Sequence, residues 1–221
     1  MQNLLHLLQL ADSALPIGSV AHSYGLETMV AENYVTVDSL EDYLIQLLYN
    51  TGKQEAWGCY RGYQLGMMAD SQQFDQAWST LHHTLSALRP AQELRVASEK
   101  IGRRLLQLVG SLTPDEKLQL VWHRKQTHHG PIFGLIGATL DLDEMTILLV
   151  YLQQLIKTQV AAAQKLLPLG QTQAMQIVWH VKPMIEEIAT QIDDDLPPAF
   201  PGLTEMGALR HPYLSTRLFI S

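Results

Sequence analysis

Apolar residues recur at three- and four-residue spacing along most of this chain, and no stretch alternates apolar and polar residues between turn dipeptides. That pattern suits helices that bury one stripe and excludes a sheet. Leu40, Tyr43, Leu44, Leu47 and Leu48 form one stripe, behind a capping box expected from Asp38 and Glu41. Leu94, Ala97, Ile101, Leu105 and Leu108 form a second. Thr113-Pro114-Asp115-Glu116 reads as a helix start with Thr113 as its cap, and Asp141 with Glu144 opens a long apolar helix toward Leu167. Ala174, Ile177, Val181, Met184, Ile185 and Ile188 mark the last clear helix, where Pro183 must kink it or lie near its start. The breaks between helices are short. The expected fold is all-α, a single-domain multi-helix bundle spanning 1–192. Asp193-Asp194-Asp195 with Pro197, Pro198, Pro201 and Gly202 stops helix, so 193–221 reads as an extended tail that orders on a partner.

A formal net charge of -7 argues against a nucleic-acid binder, because phosphate contacts want a basic face. The single cysteine, Cys59, excludes an internal disulfide and a cysteine-based zinc cluster. Met1-Gln2-Asn3 lacks a signal peptide's basic flank and cleavage site. The best membrane candidate, between Met145 and Ala163, has an apolar run of only six residues, Ile147 to Leu152, whereas a span needs about 20. A cytoplasmic protein with no membrane contact is expected.

Chemistry-bearing motifs are scarce. Gly52-Lys53 lacks the glycine spacing of a phosphate-cradling loop. Gly58, Gly62 and Gly66 make a small-residue ridge, read as close helix packing in the core or at a dimer seam. His82-His83 and His128-His129 invite a metal reading, but neighbours on a helix point about 100° apart and share an ion poorly. Cys59 reads as a packed thiol rather than a nucleophile. Arg95, Lys100, Arg103 and Arg104, interleaved with Glu93 and Glu99, form either a solvated charged face or a dock for an acidic partner. Leu209-Arg210-His211-Pro212-Tyr213 and Thr216-Arg217-Leu218-Phe219-Ile220 gather the residue types that dominate binding hot spots. Such an end either folds onto its own core or inserts into another protein.

Several of these segments resemble the urease accessory protein UreF family. The opening Leu8-Gln9-Leu10-Ala11-Asp12-Ser13-Ala14-Leu15-Pro16-Ile17-Gly18, with Ser23 and Gly25-Leu26-Glu27, is similar to that family's first motif. Glu93, Arg95, Ala97-Ser98, Gly102-Arg103 and Leu105-Leu106 resemble its central helix; Pro168-Leu169-Gly170-Gln171-Thr172 resembles its late loop. Arg210-His211, Arg217-Leu218-Phe219 and Ser221 resemble its ending. The order is kept over nearly the whole chain. Departures stand at Val20 and His22, where the family has an aromatic pair, at Lys165 for an Arg, and at Pro212, Ser215 and Ile220.

The resemblance implies a non-enzymatic homodimeric chaperone. In this family the protein joins UreD (UreH) and the GTPase UreG for GTP-dependent nickel insertion into apo-urease. No cofactor of its own is implied; nickel is handled by the complex, and a nickel site on this chain stays open. The implied partner-binding residues are Arg210, His211, Arg217, Leu218 and Phe219, then Gly170, Gln171, Thr172, Arg95 and Arg103. The alternatives are a helical metal-binding enzyme using the histidine pairs and a helical regulator unrelated to urease.

Overall fold

The computed structural model describes residues 2–12, 14–197 and 202–221. Ser13 of the opening motif, Pro198 and Pro201 lie outside the described residues. The chain is all-α, and no strand occurs among the described residues. The helices are α1 (Gln2–Leu10), α2 (Leu26–Ala31), α3 (Leu40–Leu47), α4 (Lys53–Met67), α5 (Ser71–Ala87) and α6 (Gln92–Leu112), followed by α7 (Glu116–Trp122), α8 (His129–Thr139), α9 (Glu144–Leu166), α10 (Gln171–His180), α11 (Lys182–Thr190) and α12 (Leu203–Arg210). A π-helical turn, Leu48–Gly52, joins α3 to α4.

Short carboxylates set several of the starts, because their oxygens satisfy the first free amides of a helix. Asp70 accepts from Gln72 N and Gln73 N at α5, and Asp143 accepts from Thr146 N at α9. Three sequence expectations about caps are corrected, the first being that α9 opens on Asp143 and not on Asp141. The cap of α7 is Asp115, accepting from Lys117 N and Leu118 N, and Thr113 instead closes α6. At α3 the flanking residue is Ser39, whose hydroxyl accepts from Thr36 N, so the Asp38–Glu41 box does not form. Pro183 sits in the first turn of α11, where its missing N–H costs nothing, and this splits the last periodic stretch into α10 and α11.

The glycine ridge lies inside the molecule. α4 packs against α8 through Gly58, Gly62 and Gly66; a Cβ on Gly62 would come within 2.5 Å of the Pro131 Cα, and one on Gly66 within 2.5 Å of the Ala138 Cβ. Gly134 answers from α8, where a Cβ would lie 2.7 Å from Tyr63 N. The two backbones therefore nearly touch, with Ile132, Phe133, Leu135 and Ile136 buried around them. Of the core and dimer-seam readings of the ridge, this contact answers to the core. α9 crosses the same pair and carries the buried Ile147, Leu152 and Ile156.

Beyond α11 the structure departs from an extended tail. Residues 203–210 are helical, and α12 lies against α2 and α6. The acid run and prolines stop α11, as expected, but Gly202 at φ 63° turns the chain into a new start. A 3-10 turn (His211–Tyr213) follows, and the last residues run back to the segment before α2.

Candidate functional site

One carboxylate gathers three of the tail's bonds. Glu27, in the first turn of α2 and buried, accepts from the backbone N–H of Leu218 at 2.6 Å and of Phe219 at 3.2 Å. His211 Nε2 lies 3.0 Å from the same carboxylate, and His211 Nδ1 lies 2.8 Å from Glu93 of α6. The His211 ring is fully buried between the two. Backbone N–H bonds to a carboxylate are among the strong ones. Glu27 is thus the hub through which α12, the tail and α6 meet.

Further bonds extend the seam on both sides. Glu205, in the first turn of α12 and fully buried, accepts from Ala91 N at 2.8 Å; burial raises its carboxyl above the usual range, with the Ala91 amide pulling the other way. Gly25, at φ 84°, meets Gly207 backbone to backbone, and a Cβ on Gly25 would lie 2.5 Å from the Thr204 carbonyl. Tyr24, just before it, also holds a left-handed backbone at φ 53°. The Ser221 carbonyl accepts from Ser23 N at 2.5 Å and the Ser23 hydroxyl at 3.0 Å, and Ile220 N donates to the Ala21 carbonyl at 2.9 Å. His22 Nδ1 and the Ser221 hydroxyl lie 2.8 Å apart, and burial, then Lys100 and Arg104, hold that ring down to about 4. Phe219 is buried, with the Lys165 ammonium 5.1 Å from its ring centre.

The expected binding residues therefore divide. Arg210, His211, Arg217, Leu218 and Phe219 come together at this seam: Arg210 pairs with Glu32 at 2.8 Å, Arg217 stands 3.9 Å from Glu93, and the Leu218 side chain is 68% exposed. His211 and Phe219 face inward, so they hold the tail rather than present it. Arg95 caps the preceding turn, donating to the carbonyls of Arg89 and Pro90 at 2.5 and 2.8 Å. Arg103 donates to the Trp122 carbonyl at 2.5 Å. Gly170, Gln171 and Thr172 open α10 on an exposed edge, and no bond seen among the described residues links them to the tail. Gly170 has an ordinary backbone with open space where a Cβ would go. Glu27, Glu93 and Glu205 were not among the expected binding residues. A glutamate in a helix's first turn reads as a cap, and only the tail's return reveals what it binds.

A second polar cluster lies deeper. Glu55 of α4 pairs with Arg89, both buried, and Tyr151 of α9 donates to the other Glu55 oxygen at 2.5 Å. Glu55 and Tyr151, with Tyr24 and His129, line a cavity of about 40 Å³. Beside it the rings of His82 and His128 stack at 5.4 Å, so each adjacent pair contributes one ring to a contact across helices. Burial first, then neighbouring cationic or histidine groups, lowers His82 to about 3 and His128 to about 2. Such rings are neutral packing elements at ordinary pH. Burial, then Glu55, likewise pushes the Cys59 thiol well up, which makes it a poor nucleophile. Among the described residues no three His, Cys, Asp or Glu side chains gather as a metal site requires, and no helix is long and apolar enough to cross a membrane.

Comparison with known proteins matches these features. The UreF family profile covers residues 35–182. A protein from Nostoc sp. described as urease accessory protein UreF is 34% identical over 223 residues, covering 98% of this chain and 95% of its own length. Proteins of the same description from Picosynechococcus sp. and Bacillus sp. are 34% and 31% identical, each covering 100% of both chains. Residues shared with the resemblance have structural work here: Glu27 and Glu93 clamp His211, Ser98 accepts from His129 N, and Gly102 admits the Thr127 carbonyl. The chain belongs to the UreF family.

Proposed function

We propose that this chain is a urease accessory protein acting in urease maturation, working as a non-catalytic bridge. In this reading a homodimer joins UreD (UreH) to the GTPase UreG so that nickel enters apo-urease in a GTP-dependent step. The observation that carries it is the likeness, over essentially the whole chain, to relatives described as urease accessory proteins. The tail supports the finer part. Its backbone is pinned by Glu27 and Ser23 while Tyr213, Leu218 and Ile220 remain 87%, 68% and 63% exposed beside Arg217. An ordered backbone presenting apolar and arginine side chains gives affinity without a large ordering cost.

The test is capture from a urease-expressing lysate with Arg217→Glu combined with Leu218→Asp. Both side chains are about half exposed or more, so melting should change little while UreD capture falls. Undiminished capture overturns the tail assignment; a wild-type chain that brings down neither UreD nor UreG overturns the bridge. Deleting everything after 201 is a poorer experiment, because it removes the buried Glu205, His211 and Phe219 and strips Glu27 of three donors.

A further inference from the structure

The four cations of α6 do not act together. Arg95 and Arg103 are committed to backbone carbonyls, whereas Lys100 and Arg104, both exposed, turn toward the 18–22 loop. The Arg104 guanidinium stands where a Cβ on Gly18 would be, and Lys100 lies one helical turn before it on the same exposed face of α6. From α9, the exposed Lys165 donates to the Val20 carbonyl at 3.4 Å. Three cations thus ring one short loop, and none pairs with a carboxylate among the described residues. Within the ring, Val20 is 48% exposed, and Ile220 is bound to the same loop through the Ala21 carbonyl.

From this placement we infer that the ring formed by Lys100, Arg104 and Lys165 around Val20 and Ile220 is a docking surface for an acidic, apolar-tipped segment of a partner protein. The inference rests on the bridging reading only for the identity of that partner. Carboxylates on the segment meet the three cations, and an apolar side chain covers Val20 and Ile220. A chain of net charge -7 gains little steering toward an acidic partner except where cations cluster, so the patch also fixes the approach. The exposed apolar centre and the chain's overall negative charge disfavour a nucleic acid in the same place.

A fluorescent peptide of alternating glutamate and leucine, titrated onto the full chain, tests this directly. The wild type should bind it, about tenfold more weakly as salt rises from about 0.05 to about 0.5 M, and Lys100→Glu with Arg104→Glu should weaken binding at low salt by about tenfold or more. Unchanged helicity and melting confirm that the variant is folded; should it fail, the milder Lys100→Gln and Lys165→Gln serve, each with a severalfold loss. Absence of peptide binding, binding indifferent to these substitutions, or tighter binding of a DNA duplex would overturn the inference. The lysate experiment separates the two readings. If the wild type captures UreD and UreG and the charge-reversed chain captures both equally, with peptide binding also unchanged, the patch fails and the bridge stands. If the wild type captures neither yet binds the peptide at the patch, the bridge fails and the patch stands.

Discussion

Two seams in this molecule use glycine to bring backbones together, and around that glycine they are built differently. Between α4 and α8 the contact is apolar: Gly58, Gly62 and Gly134 lie against Pro131, Cys59 and Tyr63, inside a layer of buried Leu, Ile and Phe. Between α2 and the tail, Gly25 meets Gly207, but what surrounds them is a carboxylate hub, a doubly bonded histidine and a set of backbone N–H groups. Apolar burial of the first kind has no good alternative in water, so separating α4 from α8 amounts to unfolding. Hydrogen bonds of the second kind can be exchanged for water on opening, so the second seam is expected to open before the first. In that expectation one seam defines the fold, and the other fastens a part that lifts while the rest persists.

The sharpest way to break this comparison is to put the same methyl group into both seams. Gly62→Ala drives a Cβ into the Pro131 backbone, which cannot rotate aside as a side chain would. The expected outcome is a loss of about 3 kcal/mol or more, read by chemical denaturation or as failure to accumulate soluble protein. Gly25→Ala makes a similar clash with the Thr204 carbonyl and adds strain at φ 84°. There, α12 and the tail should lift while the main thermal transition stays, a difference that hydrogen exchange of the 203–221 amides resolves. Equal global loss in both variants would show that the tail is as integral as α8.

Acid should next attack a contact beside the first seam. His82 of α5 and His128, at the start of α8, stack as neutral rings, with burial as the main cause of their lowered values. In the unfolded chain each takes a proton near 6.5. Their contribution is therefore complete above pH 6.5 and lost as pH falls below it, continuing toward about 3 for His82 and about 2 for His128. Each such group costs about 1.4 kcal/mol per pH unit in that window. His82→Phe keeps the ring stack without the proton and should flatten the acid side of the stability curve. An unchanged curve would remove His82 as its cause and leave His128.

These contrasts also mark what the sequence makes legible. Apolar spacing gives the helices, because one face of each must be buried wherever its partner comes from. The ridge at Gly58, Gly62 and Gly66 is legible as close packing, but its partner is not: Gly134 and Pro131 are about 70 residues away and carry no local mark. The Asp193–Asp195 run and its prolines correctly signal an end to α11, yet they hide α12, which exists because α2 and α6 offer it Gly25 and the Ala91 amide. Tail residues with binding chemistry are visible in composition. Which of them point outward is not, since His211 and the Phe219 amide turn inward onto Glu27, which is 184 and 192 residues away in sequence.

The smallest and most informative perturbation is at that glutamate. Glu27→Gln keeps size and removes charge, so one oxygen remains to accept where three donors now converge from His211, Leu218 and Phe219. Its amide nitrogen would also face those donors with hydrogens of its own. The expected cost is about 1 to 3 kcal/mol, confined to the tail. The Leu218 and Phe219 amides and α12 should exchange faster, amides of α4, α8 and α9 should not, and capture of a partner by the tail should weaken because its exposed residues are no longer held in one arrangement. A Glu27→Gln chain whose tail amides stay protected would move the fastening to Ser23 and Glu205. One whose core amides quicken in step with the tail would erase the distinction between the two seams altogether.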